Sequence, residues 1–133
     1  MKVFLISPVA KATSELNDKI GKHIALLEQS GIKVHWPIRD TNQKDPTGGY
    51  EICKINAQAI LEADEIQIWY DEQSGGSKFD MGIVFVLTQI LGYKKNIVIV
   101  NEKEILDNSE KSLFKVFSYI NGQWKEKFRL KRF

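Results

Sequence analysis

Hydrophobic positions along this chain follow two periods that take turns. Compact apolar runs at residues 2–7, 32–36, 66–70 and 96–100 have strand length and are bounded by turn residues such as Pro8 and Pro37. Between them the apolar spacing becomes helical. Leu16, Ile20, Ile24 and Leu27 form one stripe, with Gly31 placed as its stop. Ile52, Ile55, Asn56, Ala59, Ile60 and Ala63 form a second, and residues 77–91 a third. Residues 112–120 predict a last helix, and 128–133 a terminal strand or arm. Residues 39–49 are polar and turn-rich, long enough for a functional loop rather than a simple connection.

Strands alternating with helices of this length imply βαβ units, a mainly parallel sheet and helices on both faces. Near-continuous apolar strands agree with burial from both sides. The expectation is a single domain over residues 1–133, a three-layer α/β/α sandwich of flavodoxin-like or Rossmann-like type. In such a fold the loops after the strands, residues 7–13, 36–50, 71–80 and 101–104, gather around one crevice.

Composition narrows the chemistry. At 133 residues, 43% hydrophobic and 27% charged, the chain has the make-up of one ordinary globular domain. A net charge of +2 is too small to imply nucleic acid. Its excess sits in Lys125, Lys127, Arg129, Lys131 and Arg132, which read as a solvated or subunit-packing segment. Cys53 is the lone cysteine, so no internal disulfide forms, and the short apolar opening run is neither a signal peptide nor a membrane span. Cytoplasmic location is the expectation. His23, His35 and Cys53 are too scattered for a zinc site, and no metal or redox cofactor is expected. Residues 7–14 contain no glycine, which excludes a Walker A loop and a dinucleotide fingerprint there. No Gly-x-Ser-x-Gly elbow exists. Carboxylate chemistry remains.

The segment that carries it is Asp71-Glu-Gln-Ser-Gly-Gly-Ser-Lys-Phe-Asp-Met-Gly82. It leaves an apolar strand, turns on two glycines and opens a helix, with Asp80 expected in the first helical turn. Such a strand end offers free backbone N–H groups to an anion. Ser77 and Asp80 also fit a capping box, a purely structural use of the same residues.

Ala63-Asp64-Glu65-Ile66 before the strand, with Ser74-Gly-Gly-Ser-Lys-Phe-Asp80-Met-Gly82 after it, resembles the nucleoside 2-deoxyribosyltransferase family and its nucleoside 5′-monophosphate N-glycosidase relatives. The likeness stops before residue 101. It implies a carboxylate at Asp80 that attacks C1′ of a nucleoside, expels the base and forms a glycosyl-enzyme ester, later resolved by water or a second base. The family's assisting acid falls on Asn56, and Ser74 falls on a position that contacts a 5′-phosphate. The chain departs from the family in two places. Asp80 is one methylene shorter than the usual Glu, and Asn56 has no carboxyl proton to give. Asp40, Asp45 and Asp71 are the other candidate acids.

The remaining expected substrate contacts are Ser7, Trp36, Arg39, Asp40, Asp71, Gly76 and Ser77. Arg39 can pair with a phosphate, Asp40 can hold ribose hydroxyls, and Trp36 or Trp69 can stack on a base. Each has a structural alternative: a loop salt bridge for Arg39 and Asp40, core packing for the two tryptophans. Hydrolysis and base exchange are not separable from sequence. A non-catalytic nucleotide-binding or sensing protein is the alternative, and an interaction module built on the basic tail is a third reading. The resemblance also implies a homo-oligomer, to which the aromatic residues Phe117, Tyr119, Trp124, Phe128 and Phe133 offer a packing surface.

Overall fold

The computed structural model describes residues 1–9 and 12–130, with side chains as far as residue 122. In chain order the elements are β1 (Lys2–Ile6), α1 (Ser14–Gln29), β2 (Lys33–His35), α2 (Pro37–Asp40), α3 (Tyr50–Glu62), β3 (Glu65–Ile68), α4 (Gly75–Phe85), β4 (Asn96–Ile99) and α5 (Leu113–Leu130). A π turn over Val86–Ile90 prolongs α4, and a 3₁₀ turn over Glu102–Glu104 follows β4. The four strands form one all-parallel sheet in the order β2-β1-β3-β4. Val3 lies opposite Val34 on one side and Glu65 on the other, and Glu65 lies opposite Asn96.

That order explains the layers. The chain steps from β1 outward to β2, then reverses across β1 to reach β3. With right-handed crossovers, the reversal puts α1 on one face and the later helices on the other. Val3, Leu5, Val34 and Trp69 pack against Ile20 and Ile24 of α1. Phe4, Ile6, Ile66, Ile68, Ile97 and Ile99, the alternate positions of the same strands, pack against α3, α4 and α5. The sandwich is a three-layer α/β/α fold, as the alternating periods predict. The reversal also opens a crevice beyond the ends of β1 and β3, the place where parallel sheets of this kind bind ligands.

Local chemistry fixes the helix ends. Thr13 caps α1 by accepting from the Leu16 amide at 3.1 Å. Gly31, at φ +84°, closes α1 while Ile32 N–H returns to the Leu27 carbonyl. Asp45 and Thr47 accept from the amides of Ile52 and Glu51 and so cap α3 from the preceding loop.

Three boundaries differ from the sequence reading. α4 begins at Gly75, so Asp80 lies in its second turn rather than its first. Helix α5 continues to Leu130, through part of the segment expected to be a strand or arm. The polar loop begins within the short helix α2, which Pro37 opens. Of the aromatic tail, Phe117 is core and Tyr119 is exposed. The side chains of Trp124, Phe128 and the basic run, and all of residues 131–133, lie outside the described residues. No described helix is long and apolar enough to cross a membrane.

Candidate active site

The crevice at the reversal is a cavity of about 620 Å³. Four segments line it: Ser7, Pro8 and Val9 after β1; Pro37 and Gln43 after β2; Ile52, Cys53 and Asn56 on α3; and Asp71 through Asp80 after β3, with Glu72 and Lys78 excepted. Three of the four strand-end loops meet as expected. The fourth does not: Asn101 instead clamps the end of β3, donating to the Tyr70 carbonyl at 3.0 Å and accepting from its amide at 2.9 Å.

The wall contributed by α4 is a consequence of helical spacing. Ser77, Asp80, Met81 and Val84 recur at i, i+3, i+4 and i+7, the stripe that faces the sheet. Met81 and Val84 are fully buried in the core. Asp80 occupies the same stripe one turn nearer the cavity and is 9% exposed. No hydrogen-bond donor or cation among the described residues reaches its carboxylate. Burial alone pushes its pKa from an ordinary 3.8 to about 7. A carboxylate held this way is desolvated, without a partner among the described residues and half-ionised near neutrality, and it borders space large enough for a nucleotide-sized ligand.

The cap of α4 is Ser74, not Ser77. Ser74 Oγ accepts from the Ser77 amide at 3.3 Å and donates to Ser77 Oγ at 2.8 Å. The expected capping box between Ser77 and Asp80 is therefore not formed, which leaves Asp80 free of that structural duty. First-turn amides have no intrahelical acceptor, so the N–H groups of Gly75 and Gly76 remain open beside the cavity. Neither glycine has a left-handed φ, and a Cβ at either would meet nothing within 4 Å. Asp71 sets the turn before them, its Oδ1 accepting from the Gln73 amide at 2.9 Å, and it places a second carboxylate on the cavity wall.

On the opposite wall Asn56 is 7% exposed and belongs to a polar chain: His35 Nε2 lies 2.9 Å from Thr41 Oγ1, whose hydroxyl donates to Asn56 Oδ1 at 2.8 Å. Sequence reasoning had no signal for this chain, because its members lie on three different elements.

Of the expected site residues, Asp80, Asn56, Ser7, Asp71, Ser74, Gly76 and Ser77 come together. Trp36, Arg39 and Asp40 are not part of the lining. Arg39 donates to Asp40, Glu28 and the Val34 carbonyl, a lattice that ties α2 to α1 and β2. Partial burial alone would raise Asp40, but Arg39 and the Trp36 amide outweigh it and hold that carboxylate below its ordinary value. Trp36 packs with the α1 cluster and donates from Nε1 to Ser7 Oγ at 3.2 Å, which places it behind a cavity residue. Trp69 lies in the same cluster, edge-on to His23 with the Lys19 ammonium 5.7 Å above its ring. His23 itself bonds Gln67 Oε1 at 2.7 Å. Asp45 is used at the start of α3. Among the described residues no cluster of His, Cys, Asp and Glu could hold a metal ion.

No family model matches this chain, and no curated protein matches it.

Proposed function

We propose that the chain cleaves or exchanges the N-glycosidic bond of a nucleoside or nucleoside 5′-monophosphate, with Asp80 as the nucleophile at C1′. The observation that supports it most is Asp80 itself, a desolvated carboxylate with no partner among the described residues, facing a cavity of about 620 Å³. Nothing in the fold requires an acid at that position, and an unpaired buried carboxylate weakens the fold that carries it.

In this reading the sugar lies over Asp80, the 5′ end reaches the open amides of Gly75 and Gly76, and the base lies toward Asn56. An Asp80 carboxylate oxygen bonds to C1′ as the C1′–N bond breaks, and the bonding pair leaves with the base. The base is protonated from solvent or from Asp71. Water attacks the ester at C1′ to complete hydrolysis, or a second base does so to complete exchange. The ionised form of Asp80 is the reactive one, so turnover rises with pH through about 7 and then levels.

Chromatography of nucleosides and 5′-monophosphates incubated with the protein, with and without free acceptor bases, tests this. Base release or exchange that disappears in Asp80→Asn is expected. No release or exchange from any substrate would refute it. The second reading, binding without turnover, draws on Asn56, which offers an amide where an assisting acid would be expected. It predicts a nucleotide-dependent rise in melting temperature with no chemistry.

Self-association belongs to the same proposal. Phe79, Phe85, Val86 and Ile90 are exposed on α4 and its π turn, and Phe79 also borders the cavity. An apolar face at the mouth of a site suits a second copy of the chain. Sedimentation of the protein is expected to show a dimer or larger assembly that Phe79→Lys and Val86→Glu weaken.

A further inference from the structure

We propose that His35 and Thr41 are positioning residues that lock the Asn56 amide with its NH₂ group toward the cavity, so that this wall selects a nucleobase by a hydrogen-bond acceptor beside its glycosidic nitrogen. The inference rests on the glycosidic reading above and specifies which edge of the base that site reads.

The argument is a count of protons. Thr41 has one hydroxyl proton, and it goes to Asn56 Oδ1 at 2.8 Å. The Thr41 oxygen, 2.9 Å from His35 Nε2, must then accept, so the imidazole proton sits on Nε2. Asn56 Oδ1 therefore faces the Thr41 hydroxyl on its inner side. A flipped amide would reverse the whole chain, Asn56 NH₂ donating to Thr41 Oγ1 and the Thr41 hydroxyl to His35 Nε2, and would move the imidazole proton to Nδ1. Burial keeps His35 largely neutral at pH 7, with the Asp40 charge opposing and the Arg39 charge assisting, and Phe4 stacks on the ring at 5.3 Å. Ring, hydroxyl and amide are fixed from behind, and the two Asn56 N–H donors have no partner among the described residues.

A donor there suits the chemistry. Purine N9-glycosides carry an acceptor at N3 and pyrimidine N1-glycosides carry one at O2, each adjacent to the bond that breaks. Negative charge accumulates on the base as it leaves, so the hydrogen bond strengthens during the reaction rather than before it. The Asn56 NH₂ group cannot accept, so a base that presents only N–H groups to it is disfavoured.

Two measurements test the lock. Long-range ¹⁵N–¹H correlation spectra of the protein report which ring nitrogen of His35 is protonated. Nε2–H is expected, and an Nδ1–H tautomer overturns the proposal. Second, Thr41→Val and Thr41→Ser are compared with the wild type using 2′-deoxynucleoside 5′-monophosphates, by melting-temperature titration and by base release. Thr41→Val is expected to weaken binding about three- to tenfold and to lower kcat more than it raises KM, while Thr41→Ser stays within about twofold of wild type. Thr41→Val behaving as wild type, or Thr41→Ser falling as far as Thr41→Val, overturns the lock and leaves the glycosidic reading standing. Binding that responds to Thr41→Val without any base release sinks the glycosidic reading alone. No binding by the wild type sinks both.

Discussion

Replacing Asp80 with asparagine should make the protein more stable, and only above a defined pH. The side chain is 9% exposed, and burial raises its pKa from 3.8 to about 7. At about 1.4 kcal/mol per pH unit, that rise is a penalty of about 4 kcal/mol for the ionised form in the folded state. Water in the open cavity relieves part of it, which leaves about 2–4 kcal/mol to be recovered. The sign follows from proton uptake. Between the two pKa values the folded state holds a proton that the unfolded chain has lost, so stability falls as pH rises through this window. Below about pH 4 both states are protonated, and asparagine mimics the neutral acid; above about pH 7 the penalty is complete. Urea unfolding of wild type and Asp80→Asn from about pH 4 to 8.5 isolates this contribution, because every other group cancels in the difference. The curves should meet at the acid end and separate by about 2–4 kcal/mol, with the variant higher, at the alkaline end. A pH-independent difference, or a variant less stable at pH 8, would show that Asp80 is not a desolvated, unpaired acid.

Three other substitutions separate site from scaffold. Gly76→Ala should stabilise the start of α4 by about 0.4–1 kcal/mol while raising KM, because a methyl group covers the approach to the open amides; an unchanged KM would remove those amides from the site. Arg39→Ala should cost about 1 kcal/mol or less and leave the ratio of KM values for nucleoside and monophosphate unchanged. A selective loss of monophosphate binding would return Arg39 to the site. Asn101→Ala should cost about 2–4 kcal/mol in urea unfolding, since it strands the buried amide and carbonyl of Tyr70, and a loss under about 1 kcal/mol would refute the clamp.

What the sequence made legible was whatever depends on period. The strands and α1 are plain in the spacing of Val3, Leu5, Ile20 and Ile24. The existence of α4 is plain too, but the inward stripe that carries Asp80 with Met81 and Val84 emerges only in the fold. Strand order was not legible, because the reversal from β2 across β1 to β3 is a long-range choice that no local pattern records. The cap of α4, Ser74, lies three residues before the Ser77 that the capping-box pattern suggests: both are good caps, and only the turn set by Asp71 decides between them. Residues 39–49 look like a binding loop because caps, ion pairs and ligand contacts draw on the same polar residues. In the fold Arg39, Asp40, Asp45 and Thr47 hold the loop together. The His35–Thr41–Asn56 chain lay furthest from view, since its three members meet only after β2, α2 and α3 have packed.

The central claim is a covalent bond between Asp80 and a sugar. Peptide mass mapping of the protein after reaction with a 2′-deoxy-2′-fluoronucleoside tests it, because the fluorine slows breakdown of the ester. The account predicts one added sugar mass, confined to the peptide that contains Asp80 and absent from Asp80→Asn. Base release with no adduct, or an adduct on another residue, would contradict it.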